Sequence, residues 1–192
     1  MVNDSKHTTF IKHLFFSGRN INMALAFVLG LIITTLIMDF PQFSKPVAQS
    51  SFTIAFSHFL AYLTAQLIEL AGYTVSLTKS SIMFNQTNGV YFDFGCLGYR
   101  QVIWFIVFMI IIRGPALHKL WYIPMGAIVI QISNVLRAAI IAIVNFHSPQ
   151  SFELIHTQGS IWIIYGTVLT LWLIWLSMYE DINKQNKQNL LN

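Results

Sequence analysis

The single cysteine of the chain, Cys96, stands in the stretch FGCLGYRQVIWF, at the mouth of a long apolar run. One cysteine permits neither an internal disulfide nor a multi-cysteine metal site, so the thiol is either buried and inert or reactive. At the start of a helix it would meet unpaired backbone N–H groups and the positive end of the helix dipole, both of which favour thiolate. Arg100 is expected on the same helical face, about 6 Å further along the axis. Its guanidinium would add to that field or bind a carbonyl. Gly95 and Gly98 leave room for a second backbone to approach.

Arg137 lies in QISNVLRAAIIAIV, inside another apolar run, where an unpaired charge costs several kcal/mol and marks a functional candidate by default. Counted from Trp121, it sits about 24 Å up a helix, close to the depth of Arg100. Asn134 is one turn earlier on the same face and is able to hold the guanidinium or a substrate amide. Past this run, NFHSPQSFELIHTQGS supplies His147 and His156, both able to exchange a proton near neutral pH. A thiol, an imidazole and cationic groups together suit an acyl-transfer intermediate. The bland alternatives are a small buried cysteine, a solvated histidine, and arginines that act as interhelical hydrogen-bonding glue. His58, His147, His156, Asp93 and Glu153 lack the spacing of a known ligand set, so no metal and no cofactor are expected.

These residues need elements to hold them, and the composition says in what solvent. The chain is 55% hydrophobic and 9% charged, whereas soluble domains average about 25% charged. Most of its surface must therefore face lipid. Residues 21–40, 97–113, 120–145 and 161–179 read as transmembrane runs, and the first lacks a small-x-small cleavage site and reads as a retained anchor. Residues 51–72 carry Ser57, His58, Thr64, Gln66 and Glu69 within an apolar helix, and lie at the interface or span.

The expected fold is an all-α polytopic membrane protein of about four to five transmembrane helices in a single domain over 1–192. A small extracytoplasmic β-hairpin cap is expected over 73–95, turning at Asn88-Gly89. Strands belong outside the bilayer because an open sheet edge cannot face lipid. Lys6, Lys12 and Arg19, then Arg113 and Lys119, then Lys184 and Lys187 place segment 1–20, the RGPALHK turn and tail 180–192 in the cytoplasm. Cys96 and the loop 146–160 then share the opposite face of a cytoplasmic (inner) membrane. The tail NKQNKQNLLN reads as disordered. Gly126, Ala127, Ala138 and Ala139 are candidates for packing a partner helix. No basic stripe is interleaved with stacking aromatics, so membrane lipid, not nucleic acid, is the expected surrounding.

Read in order, FGCLGYRQVIWF, WYIPMGAIVIQISNVLRAAIIAIV and FELIHTQGSIWIIYGTVLTLWLIW resemble the core of the exosortase and archaeosortase family, in particular its short, single-module bacterial members. The similarity runs from about Phe52 to Trp175 and includes FLAYLTAQLIELAGYTV. The resemblance implies that Cys96, in its C-x-G-x-R setting, is the nucleophile. It makes His156 the acid/base and Arg137, in N-x-x-R, the group that stabilises the oxyanion or orients the thiolate, with Arg100 and Asn134 in support. It further implies a membrane cysteine transpeptidase whose protein substrate carries a C-terminal sorting signal: a short motif, a transmembrane helix and a basic tail. Cleavage would leave an acyl thioester on Cys96, resolved by an amine or other nucleophile of a cell-envelope acceptor, or by water. Leu97 stands where many longer members have serine, and the extra spans and soluble domain of some relatives do not occur in this sequence. The rival readings are a non-enzymatic subunit of an envelope export or assembly system, or a small transporter with an arginine-lined path.

Overall fold

The computed structural model describes residues 18–84, 87–112 and 114–189. Lys6, Lys12 and Arg113 lie outside the described residues. Among the described residues, six helices of eight or more residues carry the fold: α1 (Gly18–Asp39), α2 (Pro41–Ala48), α3 (Ser51–Leu70), α4 (Tyr99–Ile111), α5 (Ala116–His147) and α6 (Ser160–Asn189). Between α3 and α4 lies an antiparallel sheet of β1 (Ser76–Thr78), β2 (Ser81–Phe84) and β3 (Thr87–Tyr91), in the order β1-β2-β3.

The mostly helical membrane architecture is as expected, with local differences that have physical causes. Among the described residues, three helical segments are long and apolar enough to cross a membrane: α3, α5 and the run Pro149–Tyr179 that leads into α6. A fourth is added if Phe27–Asp39 and α2, bent by 69°, form one broken span. The break falls at Phe40, whose extended φ −89° and ψ 117° precede Pro41; proline excludes the helical conformation from the residue before it and is pre-organised for the first helical position. α4 has 13 residues, or about 20 Å, which is shorter than the crossing expected for 97–113. It starts only after Gly98, whose φ of 73° is left-handed. At its other end the Lys119 ammonium donates to the carbonyls of Ile112 and Ile110, at 2.5 and 3.4 Å, and so neutralises the negative end of a short helix.

The expected hairpin is instead a three-stranded sheet, and Asn88-Gly89 is not its turn. The chain reverses at Lys79-Ser80 between β1 and β2, and Gly89 lies within β3. A Cβ on Gly89 would collide with the main chain of Ile82, beside an irregularity in the β2–β3 register. The glycine permits close strand approach there, a common use of glycine inside strands. The polar tail also differs from its disordered reading, because α6 continues as helix to Asn189.

α5, with 32 residues, is about 48 Å long and exceeds the roughly 30 Å of a bilayer core. Two clusters divide its length. Along its first half, Tyr122 and Ile130 pack with Trp104, Phe105, Phe108 and Met109 of α4 and with Trp172 and Trp175 of α6. Along its second half, Val135, Ala138, Ala139 and Ala142 pack with Leu60, Ala61, Ala65 and Ile68 of α3 and with Ile82 and Phe84 of the sheet. Tyr73 Oη and His147 Nε2, 2.8 Å apart, fasten the exit of α3 to the far end of α5. Gly126, Ala138 and Ala139 are therefore spent on internal packing, with Gly126 against the Phe105 ring, and do not offer the partner-helix surface expected of them.

Candidate active site

Cys96 closes a single 3-10 turn, Phe94–Cys96, and is not the first residue of α4. Its N–H donates to the Asp93 carbonyl at 2.8 Å. Asn134 Nδ2 donates to the Cys96 carbonyl at 2.9 Å, and Gln131 Nε2 donates to the Leu97 carbonyl at 3.1 Å. Two side chains of α5 thus hold successive main-chain carbonyls at and beside the thiol. Gly98 makes this possible twice over: its left-handed φ turns the chain into α4, and a Cβ there would stand only 3.2 Å from Gln131 Nε2 and 3.3 Å from Asn134 Nδ2.

Cys96 lines a cavity of about 240 Å³ together with Arg137 and His156, walled by β3 and by Phe152. The three groups come from the segment before α4, from the middle of α5 and from the entry to α6. Cys96, Arg137 and His156 are all half-buried. Arg137 Nε is buried and has no hydrogen-bond partner among the described residues. A buried donor without an acceptor is costly, and one in a native cavity calls for an explanation such as a bound group.

His156 belongs to a π-helical turn, Ile155–Gly159, set into an otherwise helical run. Such turns hold i→i+5 hydrogen bonds and occur most often at functional sites. The imidazole is stacked on the Phe152 ring, with centroids 5.2 Å apart and planes 11° from parallel. Packing therefore fixes the plane of the ring at the cavity wall. A thiol, an imidazole and a guanidinium on one cavity supply a nucleophile, a proton carrier and a stabiliser for a developing oxyanion.

Arg100 is placed elsewhere. Because Cys96 precedes the helix, the four-residue helical spacing between them does not apply. The Arg100 guanidinium instead pairs with Asp39 at the end of α1, with Nη2 2.5 Å from Oδ1, and does not line the Cys96 cavity. His147 is bound to Tyr73. His58 and Asp93 line a second cavity, and Glu153 is exposed. Among the described residues no cluster of His, Cys, Asp or Glu is arranged to hold a metal ion. Gln131 is a site residue that sequence reasoning passed over. Its signal was the spacing Gln131, Asn134, Arg137, which sets three polar groups on one stripe of an apolar helix.

A family model for transmembrane exosortases (Exosortase_EpsH) matches residues 11–179 of the chain. No curated protein and no solved structure matches it. The matched span includes every site residue described above and, with the long apolar helices, makes this a multi-pass membrane protein.

Proposed function

Because the chain belongs to the transmembrane exosortase family, we propose that it is a cysteine transpeptidase that cuts the C-terminal sorting signal of surface proteins and passes the product to a cell-envelope acceptor. The observation that carries this reading is the convergence of Cys96, Arg137 and His156 on one cavity from three separate segments. In the first half-reaction His156 takes the thiol proton and the thiolate attacks the scissile carbonyl. The tetrahedral oxyanion forms against the Arg137 guanidinium. Collapse expels the amine of the downstream segment, which leaves with the proton from His156, and an acyl thioester remains on Cys96. In the second half-reaction His156 deprotonates an acceptor amine, or water, which attacks the thioester and returns the thiolate and then the thiol.

Asn134 and Gln131 act through the main chain, by holding the carbonyls of Cys96 and Leu97. Arg100 supports the site from a distance, by tying the start of α4 to α1 through Asp39. A substrate whose sorting signal includes a membrane helix is confined to the bilayer, and such confinement removes part of the orientational cost of reaction. In this reading the site faces the exterior of the cytoplasmic (inner) membrane, where the substrate's chain leaves the bilayer.

The test is co-expression with reporter proteins fused to the C-terminal motif, helix and basic-tail segments encoded in the same genome. Wild-type protein shifts the mass of at least one reporter. Cys96→Ala accumulates in the membrane at normal abundance and leaves that reporter uncut. Continued cutting by Cys96→Ala excludes the thiol as nucleophile, and loss of the protein itself points to a structural role.

A further inference from the structure

We infer that a second cavity, of about 440 Å³, is a subsite for a neutral, dipolar stretch of the polypeptide next to the bond cut at Cys96; this rests on the acyl-transfer reading above. The cavity lies between the first turns of α3, the Lys79-Ser80 turn of the sheet and the segment 91–94. Tyr91 and Phe92 line both this cavity and the one that holds Cys96. The two are back to back across one short piece of chain, and Tyr91 is 63% exposed between them. That piece ends β3, which is an edge strand of the sheet. Asn145 Nδ2 of α5 donates to the Gly89 carbonyl of that strand at 3.3 Å, so the stretch of β3 nearest Tyr91 is the part left beside both cavities.

The walls of the cavity are built for polar contact. Ser57 Oγ and Ser80 Oγ, 2.8 Å apart, clip the turn onto α3. Lys79, beside Ser80, has a φ of 52°. Glycine or asparagine is the ordinary choice in that left-handed region, and a residue with a longer side chain is strained there. The lysine is nevertheless the residue placed there, on a cavity that also takes Asp93 and His58. All three residues are exposed, and among the described residues none of their side chains has a hydrogen-bond or ion-pair partner.

A cavity that presents an ammonium and a carboxylate together gives neither a simple anion nor a simple cation a net advantage. A peptide group carries both complements, with its carbonyl for Lys79 and its N–H for Asp93. His58 and the hydroxyls can bond either polarity. The rings of Tyr91 and Phe92 give the stretch an apolar surface to lie on as it passes toward the thiol.

The experiment uses the reporter series above and does not require turnover. In a Cys96→Ala background, Thr78→Cys lines the subsite and Leu77→Cys, on the neighbouring position of β1, does not. Single cysteines are scanned through the polar stretch that precedes the reporter's helix. Disulfide crosslinks are expected at Thr78→Cys from a few adjacent reporter positions, with none at Leu77→Cys. Adding Lys79→Glu should abolish them. With Cys96 present, Lys79→Glu should raise KM about tenfold, the size of a lost charge-assisted hydrogen bond, with kcat and the rate of Cys96 alkylation by iodoacetamide unchanged. No crosslinks at Thr78→Cys, or equal crosslinks at both positions, overturns the subsite whether or not any reporter is cut. Crosslinks without cutting by the wild-type protein keep the subsite and overturn the acyl-transfer reading.

Discussion

The two halves of α5 are packed by different rules. Along the first half, large rings interlock: Phe108 and Trp172 stack with centroids 4.0 Å apart, and Trp175 lies within 5.1 Å of the Tyr122 ring. Glycines make room for them, with Gly126 against Phe105, Gly30 against Trp104 and Gly114 against Trp175. Along the second half the contacts are alanines against leucines and a small sheet, and the cavity lined by Cys96, Arg137 and His156 opens beside them. A close-packed interior resists deformation, whereas one with a cavity beside it retains room for a ligand. One continuous helix joins both regimes, so the tightly packed half anchors the position of Asn134 and Arg137 in the open half.

If that division holds, substitutions separate into stability effects and activity effects according to which half they touch. The largest stability change is expected from Phe108→Ala, which removes a fully packed ring and should cost about 3–5 kcal/mol, read as a lower denaturation midpoint in detergent. Arg137→Ala should leave that midpoint close to wild type and lower reporter cutting by about 10²–10³-fold, as loss of an oxyanion donor does. Gly98→Ala sits on the boundary: it forces an L side chain into a left-handed φ, costing about 1–2 kcal/mol, and crowds Asn134. A moderate fall in midpoint with slower Cys96 alkylation is expected. Arg100→Ala should change stability by less than about 1 kcal/mol, because the Asp39 pair is 38% and 49% exposed and exposed pairs contribute little. An Arg137→Ala protein that unfolds as readily as Phe108→Ala would erase the distinction between the halves.

The sequence made the membrane class and the convergence legible for a common reason: both follow from where polar residues interrupt apolar runs. Cys96 and His156 each stand at the end of such a run and Arg137 lies deep within one, so topology alone directs them to one face. Helical spacing misplaces Arg100 because Cys96 lies in a 3-10 turn ahead of α4. The signal against it was Gly98, whose backbone freedom ends one conformation and begins another. The sheet was partly hidden too. Asn88-Gly89 carries the usual residue types of a tight turn, yet strand packing against Ile82 uses the same lack of a Cβ. Asp39 and Arg100, 61 residues apart in the chain, meet through tertiary folding that no local pattern encodes.

The π turn at 155–159 has a consequence for how the last helix is phased. An i→i+5 turn accommodates one residue beyond the α-helical repeat, so the face that carries His156 is offset from the stripe of Val168, Leu171, Trp172 and Trp175 that seats α6 in the aromatic cluster. The two faces of one rod are thereby decoupled in rotation. Closing the same residues as regular α-helix would swing the segment ahead of the turn by about 100° relative to that seat, whereas deleting one residue along with the turn would leave its phase nearly unchanged.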